Sequence, residues 1–172
     1  WQAPIEVRFA CLGHDLGKGT TPQAEWPRHI GHEERSARLL KALCLRLRVP
    51  NDCSELADVV AREHGNIHRS SEFGAPALVR LLERCDAFRK PERFADILMA
   101  CECDARGRLG LNEQPYPQRQ RLLGALTAAQ SVNTAEVAAA AEAQGLSGAA
   151  IGQAVHTART LALNSCLANG PR

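Results

Sequence analysis

Five residues set the chemistry this sequence could carry: the doublet His14-Asp15, then His32, His64 and Asp86. Each continues the apolar stripe of a segment with helical periodicity, near one end of it. His14 follows Val7 and Ala10, and His32 shares a face with Leu39 and Leu43. His64 follows Cys53, Ala57 and Val60, and Asp86 follows Ala75, Val79 and Leu82. Residues three, four and seven apart share one helix face, so these side chains are expected to point toward the core. An ionised carboxylate or an imidazole buried without a partner costs on the order of several kcal/mol. A shared metal ion removes most of that cost, and imidazole nitrogen with carboxylate oxygen suits zinc, nickel, iron or manganese. A lone buried histidine is most often a satisfied core residue, and a lone aspartate at a helix end is most often a cap or a surface charge. Four helices ending their apolar faces in this way point instead to one metal site, with no reaction assigned by pattern alone. Adjacent helical side chains diverge by about 100°. His14 and Asp15 can therefore share an ion only near a helix end, or between two ions.

Other residues leave two roles open. Lys18 follows Asp15 by three in a Gly-flanked turn, either to neutralise developing phosphate charge or as a solvated loop lysine. His68 lies four beyond His64 across Gly65, as a support or phosphate contact or as a surface histidine. His29 is expected in a surface or cap role, and His156 as a surface or packing residue. Glu63 is a possible base, with a solvated helix charge as the default. Trp1 and Trp26 are expected to pack in the core or at its edge.

The elements that must position these groups are helical. Period-2 alternation is nearly absent, aromatic content is 4%, and apolar residues recur at three and four. Helices are expected from Ile5 to Leu12, His29 to Arg48, Asn51 to His64, Pro76 to Phe88, and Pro91 to Asp104. A Gly- and Arg-rich loop from Arg106 to Gly110 follows. Beyond it come a helix through Ala129, an Ala-rich helix capped by Asn133 with Glu136 and ending near Gly145, and a last helix to Leu167. The expected architecture is all-α, with a helical-bundle domain over 1–110 and a smaller helical region over 111–172.

Composition bounds the function. A net charge of +2 is too weak by itself to argue for nucleic acid. No apolar run approaches a membrane span, and Trp1 does not open a signal peptide, so no membrane role is expected. A chain beginning at Trp is read as a fragment or a processed product. Seven cysteines, an odd number without a second cluster at zinc spacing, are expected as free thiols in a reducing cytoplasm. Monomer and homodimer stay open.

The stretches VRFACLGHDLGKGTTP, WPRHIGHEERSARLL, VAREHGNIH, LLERCDAFRKPERF, ACECDARGRLG and LSGAAIGQAVHTAR resemble the bacterial CCA-adding tRNA nucleotidyltransferases, the multifunctional kind with a C-terminal HD domain. HDLGKG alone would indicate only the broad HD superfamily; the ordered set is more specific and covers nearly the whole chain. The resemblance implies a helical, metal-dependent phosphohydrolase. It implies 2′,3′-cyclic phosphodiesterase, 2′-nucleotidase and phosphatase activities linked to repair and maturation of the tRNA 3′ end. It implies a divalent metal: nickel (Ni2+) for the phosphatase, with magnesium (Mg2+) or manganese (Mn2+) as alternatives. His14, Asp15, His32, His64 and Asp86 become metal ligands, with His14, Asp15, Lys18 and His64 catalytic. Lys18, His68, Arg89, Arg106 and Arg108 become contacts to phosphate or RNA, within basic clusters that also hold Lys90, Arg93, Arg119 and Arg121.

The sequence departs from the family in two ways. The superfamily's first histidine lies well upstream of the doublet, yet thirteen residues precede His14 and none is His. The expected site begins one ligand short, so a pocket that is empty or weakly active is expected. Nothing resembles the nucleotidyltransferase head, whose chemistry uses Mg2+. The competing expectation is a non-enzymatic tRNA-binding body with structural histidines. A hydrolase of free nucleotides is the third.

Overall fold

Helical periodicity is what the chain realises. The computed structural model describes residues 2–169. Within them eight α-helices are joined by turns and short 3-10 segments, and no strand occurs among the described residues. The helices are α1 (Ile5–Gly13), α2 (His32–Leu47), α3 (Asn51–His68), α4 (Ala75–Arg84), α5 (Pro91–Arg106), α6 (Pro117–Gln130), α7 (Thr134–Ala143) and α8 (Ala149–Asn169). Trp1 lies outside the described residues, and with it the expectation that it packs. Trp26 is 59% exposed, its indole N–H donating to the Thr21 carbonyl, so it is a loop residue and not part of the core.

α3 is the central element, packed on α1, α2 and α5. Its buried face carries Leu56, Ala57, Val60, Ala61 and Ile67, and α1 contributes Val7 and Ala10. Small side chains on both helices allow close approach, which carries the end of α1 toward the last turns of α3. α3 continues through Gly65 and Asn66 to His68, beyond the expected stop. A helical glycine costs about 1 kcal/mol relative to alanine, but Ile67 beyond it is completely buried. His64 and His68 therefore share one helix face.

α4 ends earlier than its apolar pattern suggests. After Arg84 the chain turns through Asp86 at φ 54°, with Asp86 N bonded to Glu83 O and Ala87 N to Leu82 O. This pair of bonds is the Schellman ending, and aspartate tolerates its left-handed position better than most residues. Asn133 caps α7 as its spacing predicts, accepting from the backbone of Ala135 and Glu136. Leu122, Ala125, Leu126 and Ala129 of α6 and Leu163 of α8 join the same buried cluster as the earlier helices. α8 is tied to α4 by His156 Nδ1 at 3.0 Å from Glu83, a packing role, while Arg159 lies 3.6 Å over the Phe88 ring.

The segment between α1 and α2 is pinned to α2. Gly17 N donates to Ser36 Oγ at 2.8 Å. Arg35 donates to the carbonyls of Gly17 and Ile30 and to Thr21 Oγ1. A Cβ on Gly17 would lie 2.2 Å from the His32 carbonyl oxygen and 2.6 Å from Ser36 N, both backbone atoms. Gly17→Ala is expected to destabilise the chain by about 1–3 kcal/mol or more, seen as a lower unfolding midpoint. Gly19→Ala, where a Cβ meets nothing within 4 Å, is expected to stay within about 0.5 kcal/mol of the parent.

Candidate metal centre

Three histidines use the same device to aim a ring. His14, at the end of α1, puts Nδ1 2.9 Å from the Cys11 carbonyl. His32, opening α2, puts Nδ1 3.0 Å from the carbonyl of His29, which thus orients the ring, while Gly31 is the N-cap residue of α2. His64 puts Nδ1 3.0 Å from the Val60 carbonyl. A carbonyl only accepts, so each Nδ1 is the donor and each neutral ring turns a bare Nε2 lone pair outward.

Those lone pairs converge on Asp15. Its Oδ1 lies 3.2 Å from His32 Nε2 and 3.7 Å from His64 Nε2, and its Oδ2 lies 3.2 Å from His14 Nε2. His32 Nε2 and His64 Nε2 are 3.3 Å apart. From α5, Asp104 Oδ1 comes within 3.5 Å of His14 Nε2. Ligand atoms of His14, Asp15 and His64 all lie within 4.8 Å of one another. His14 Nε2 and Asp15 Oδ1 are buried without a hydrogen-bond partner. Acceptors facing acceptors repel unless a proton or a cation lies between them. The orphaned atoms and the mixed nitrogen and oxygen donors fit a divalent metal ion.

With no metal bound, a proton takes that part. Burial disfavours a charged His14, but Asp104 and Asp15 beside it outweigh burial and push its pKa up to about 10. Asp104 is held well below the usual carboxylate range by His14 and His68. Asp15 is also held low: burial opposes its charge, and His14 and Lys18 more than compensate. His64 is pushed down, by burial first and then by a charged His14.

His14, Asp15, His32 and His64 are thus brought together as the spacing predicts, and Lys18 joins them with Nζ 2.6 Å from Asp15 Oδ2. Asp86 is not. Its carboxylate takes a bidentate bond from Arg89, at 2.7 and 2.8 Å, and a longer one from Arg93 at 3.4 Å. The stripe through Ala75, Val79 and Leu82 points to Asp86 only if α4 continues, and α4 stops two residues short. Asp104 stands in its place. It continues the buried face of Ile97 and Cys101 on α5, the same signal that marks the histidines. His68 Nε2 lies 2.9 Å from Asp104 Oδ2, and its Nδ1 lies 2.9 Å from the hydroxyl of Tyr116. Tyr116 precedes α6 in a loop and carries no periodic signal.

Several of the charged residues that the sequence singles out are committed within the chain. Glu63 is buried and bound by Arg84 and Asn66, so it is neither a free base nor a solvated charge. Lys90 and Arg93 bind Glu55, Arg106 binds Glu102 and the Asn112 carbonyl, and Arg119 binds Glu102. Arg121 binds the carbonyls of Ser70 and Phe73. Arg108 is the arginine at the rim, 64% exposed and 3.9 Å from Asp104 Oδ1.

A helical bundle that buries a His-Asp doublet among further histidines and a carboxylate from a distant helix defines a class. The HD domain family matches residues 2–123, and the chain belongs to it. It is also 69% identical over 169 residues to the multifunctional CCA protein of Polaromonas naphthalenivorans, covering 98% of this chain and 40% of that protein. The multifunctional CCA protein of Paracidovorax citrulli is 68% identical over the same shares. That of Leptothrix cholodnii is 60% identical, over 94% of this chain and 38% of that protein. The chain spans about two fifths of the length of these relatives. No solved structure matches significantly. Among the described residues no helix is long and apolar enough to cross a membrane, and all seven cysteines are free.

The pKa shifts predict how the metal-free chain responds to pH. The raised His14 contributes stability that is complete below its ordinary value of 6.5 and is lost as pH rises toward about 10. The depressed Asp15 and Asp104 contribute stability that is complete above 3.8 and is lost as pH falls. In EDTA the contributions of His14, Asp15 and Asp104 are together complete between 3.8 and 6.5, while the depressed His64 loses stability as pH falls below 6.5, so the cluster's contribution is greatest toward the upper end of that window. Unfolding midpoints measured against pH are expected to decline on the alkaline side, and His14→Gln is expected to flatten that decline.

Proposed function

We propose that this chain is the HD portion of a CCA-adding tRNA nucleotidyltransferase and acts as a metal-dependent phosphohydrolase. The observation that carries this reading is the buried convergence of three Nε2 lone pairs and two carboxylates around atoms with no donor of their own. His14, Asp15, His64 and Asp104 would hold a divalent ion, with His32 joining through Asp15 and His64. Nickel, manganese and magnesium are the ions to try. A bound divalent ion lowers the pKa of a coordinated water and polarises phosphoryl oxygens.

The chain's own groups then have definite tasks. Nδ1 bonds to backbone hold the ligand rings in one tautomer, so no reorientation is required on loading. Lys18 is part-exposed on the Asp15 carboxylate, where its compact charge can meet an incoming phosphate oxygen. Arg108 offers a second rim cation beside Asp104, with a planar fork suited to phosphate. The proposed substrates are 2′,3′-cyclic phosphates, nucleoside 2′-phosphates and the tRNA 3′ end, the classes that the resemblance to CCA-adding enzymes implies. The cytoplasm suits seven free thiols. The reading assigns 1–110 to the hydrolase domain and 111–172 to a helical tail that meets tRNA. Arg119, Arg121 and Arg159 are occupied inside the chain, so that tail would contact RNA by shape and main chain more than by those side chains.

The test is phosphate release from a nucleoside 2′-phosphate and ring opening of a 2′,3′-cyclic phosphate, with nickel, manganese or magnesium added after chelation. Asp15→Asn and Asp104→Asn are expected to lower metal-dependent turnover by about 100-fold or more, the scale of losing an essential electrostatic group. Asp86→Asn is expected to keep it. If the metal-loaded parent releases no phosphate from any of these substrates, the reading fails.

A further inference from the structure

His68 differs from the three ligand histidines in what its Nδ1 meets. Theirs face carbonyls, which only accept; its own faces the hydroxyl of Tyr116, which donates or accepts. Its Nε2 faces Asp104 Oδ2 at 2.9 Å, and a carboxylate oxygen only accepts. Nε2 must therefore carry the hydrogen. In the neutral ring Nδ1 then has a lone pair and Tyr116 donates to it; in the charged ring Tyr116 accepts. Either way the hydroxyl holds the ring so that Nε2–H grips one oxygen of Asp104, leaving the other oxygen 3.5 Å from His14 Nε2.

We propose that Tyr116 is a positioning residue for the metal centre, acting through His68 to aim Asp104 at the ion. The proposal rests on the metal reading above. Its support lies in how the entrance of α6 is built onto the end of α3. The Tyr116 ring meets His68 edge-on at 5.8 Å, Gln118 Nε2 donates to the His68 carbonyl at 3.1 Å, and Arg121 donates to Ser70 and Phe73 carbonyls just beyond. A residue past Gly110 thereby becomes part of the centre's supporting structure, although it touches neither His14 nor Asp15. Hydrogen-bonded partners behind a ligand commonly control metal affinity by 10- to 100-fold.

The test uses Tyr116→Phe, which keeps the ring and removes only the hydroxyl. Nickel and manganese dissociation constants are measured on the whole chain by competition with a chromophoric chelator, beside the visible spectrum of the cobalt-loaded protein and the unfolding midpoint in EDTA. The expected result is about tenfold or weaker metal binding and a changed cobalt spectrum, with the metal-free midpoint unmoved. A merely structural tyrosine would lower that midpoint and spare both metal readouts, which overturns the proposal. The same substitution in a His68→Ala background is expected to have no further effect on affinity. A full effect there would show that Tyr116 does not act through His68, and also overturns it. If the parent chain binds none of these metals, the metal reading itself fails and takes the proposal with it; if the parent binds and Tyr116→Phe binds equally well, only the proposal fails.

Discussion

A cluster of acceptors held in burial is the constraint around which this bundle is organised. Three imidazole nitrogens and two carboxylates face one another at 3.2–3.7 Å. The nearby groups that supply hydrogens to the two carboxylates are Lys18 Nζ and His68 Nε2. Left uncompensated, such lone pairs and charges would cost more than an ordinary packing defect. A proton on His14 compensates in part, at a pKa pushed far from its ordinary value. A divalent ion would compensate more fully, which is why the arrangement reads as a binding site rather than as a structural network.

The helices hold this cluster by spending backbone carbonyls on it. Cys11, His29, Val60 and Ala61 each offer a carbonyl oxygen to a ring Nδ1. The orientation of the rings is thus an extension of backbone geometry and needs no further side chains. Close packing of α1 on α3 and the pinned segment around Gly17 fix the two histidines and the start of α2 relative to one another. Asp104 arrives from α5, the last element needed.

Charge is managed similarly outside the centre. Acidic residues on the bundle bind several of its cations: Glu63 with Arg84, Glu55 with Lys90 and Arg93, and Glu102 with Arg106 and Arg119. Exposed pairs of this kind add little stability, but they occupy those cations within the chain. Lys18 and Arg108 remain at the rim, attached to the centre's own carboxylates.

The sequence by itself determined the all-helical fold, the buried faces and four of the five acceptors in the cluster. Helical spacing is a local property, and a polar residue continuing an apolar stripe is visible without knowing what it meets. Periodicity could not decide between Asp86 and Asp104. Both sit near helix ends, and the choice depends on where each helix stops. Two backbone bonds ended α4 before Asp86, while α5 ran on to Arg106 and carried Asp104 inward. Nor could spacing reveal Tyr116, a loop residue whose position follows from how α6 docks on the end of α3. Tertiary structure decided these points because helix termination and the meeting of distant segments depend on packing between elements, which no repeat within one element encodes.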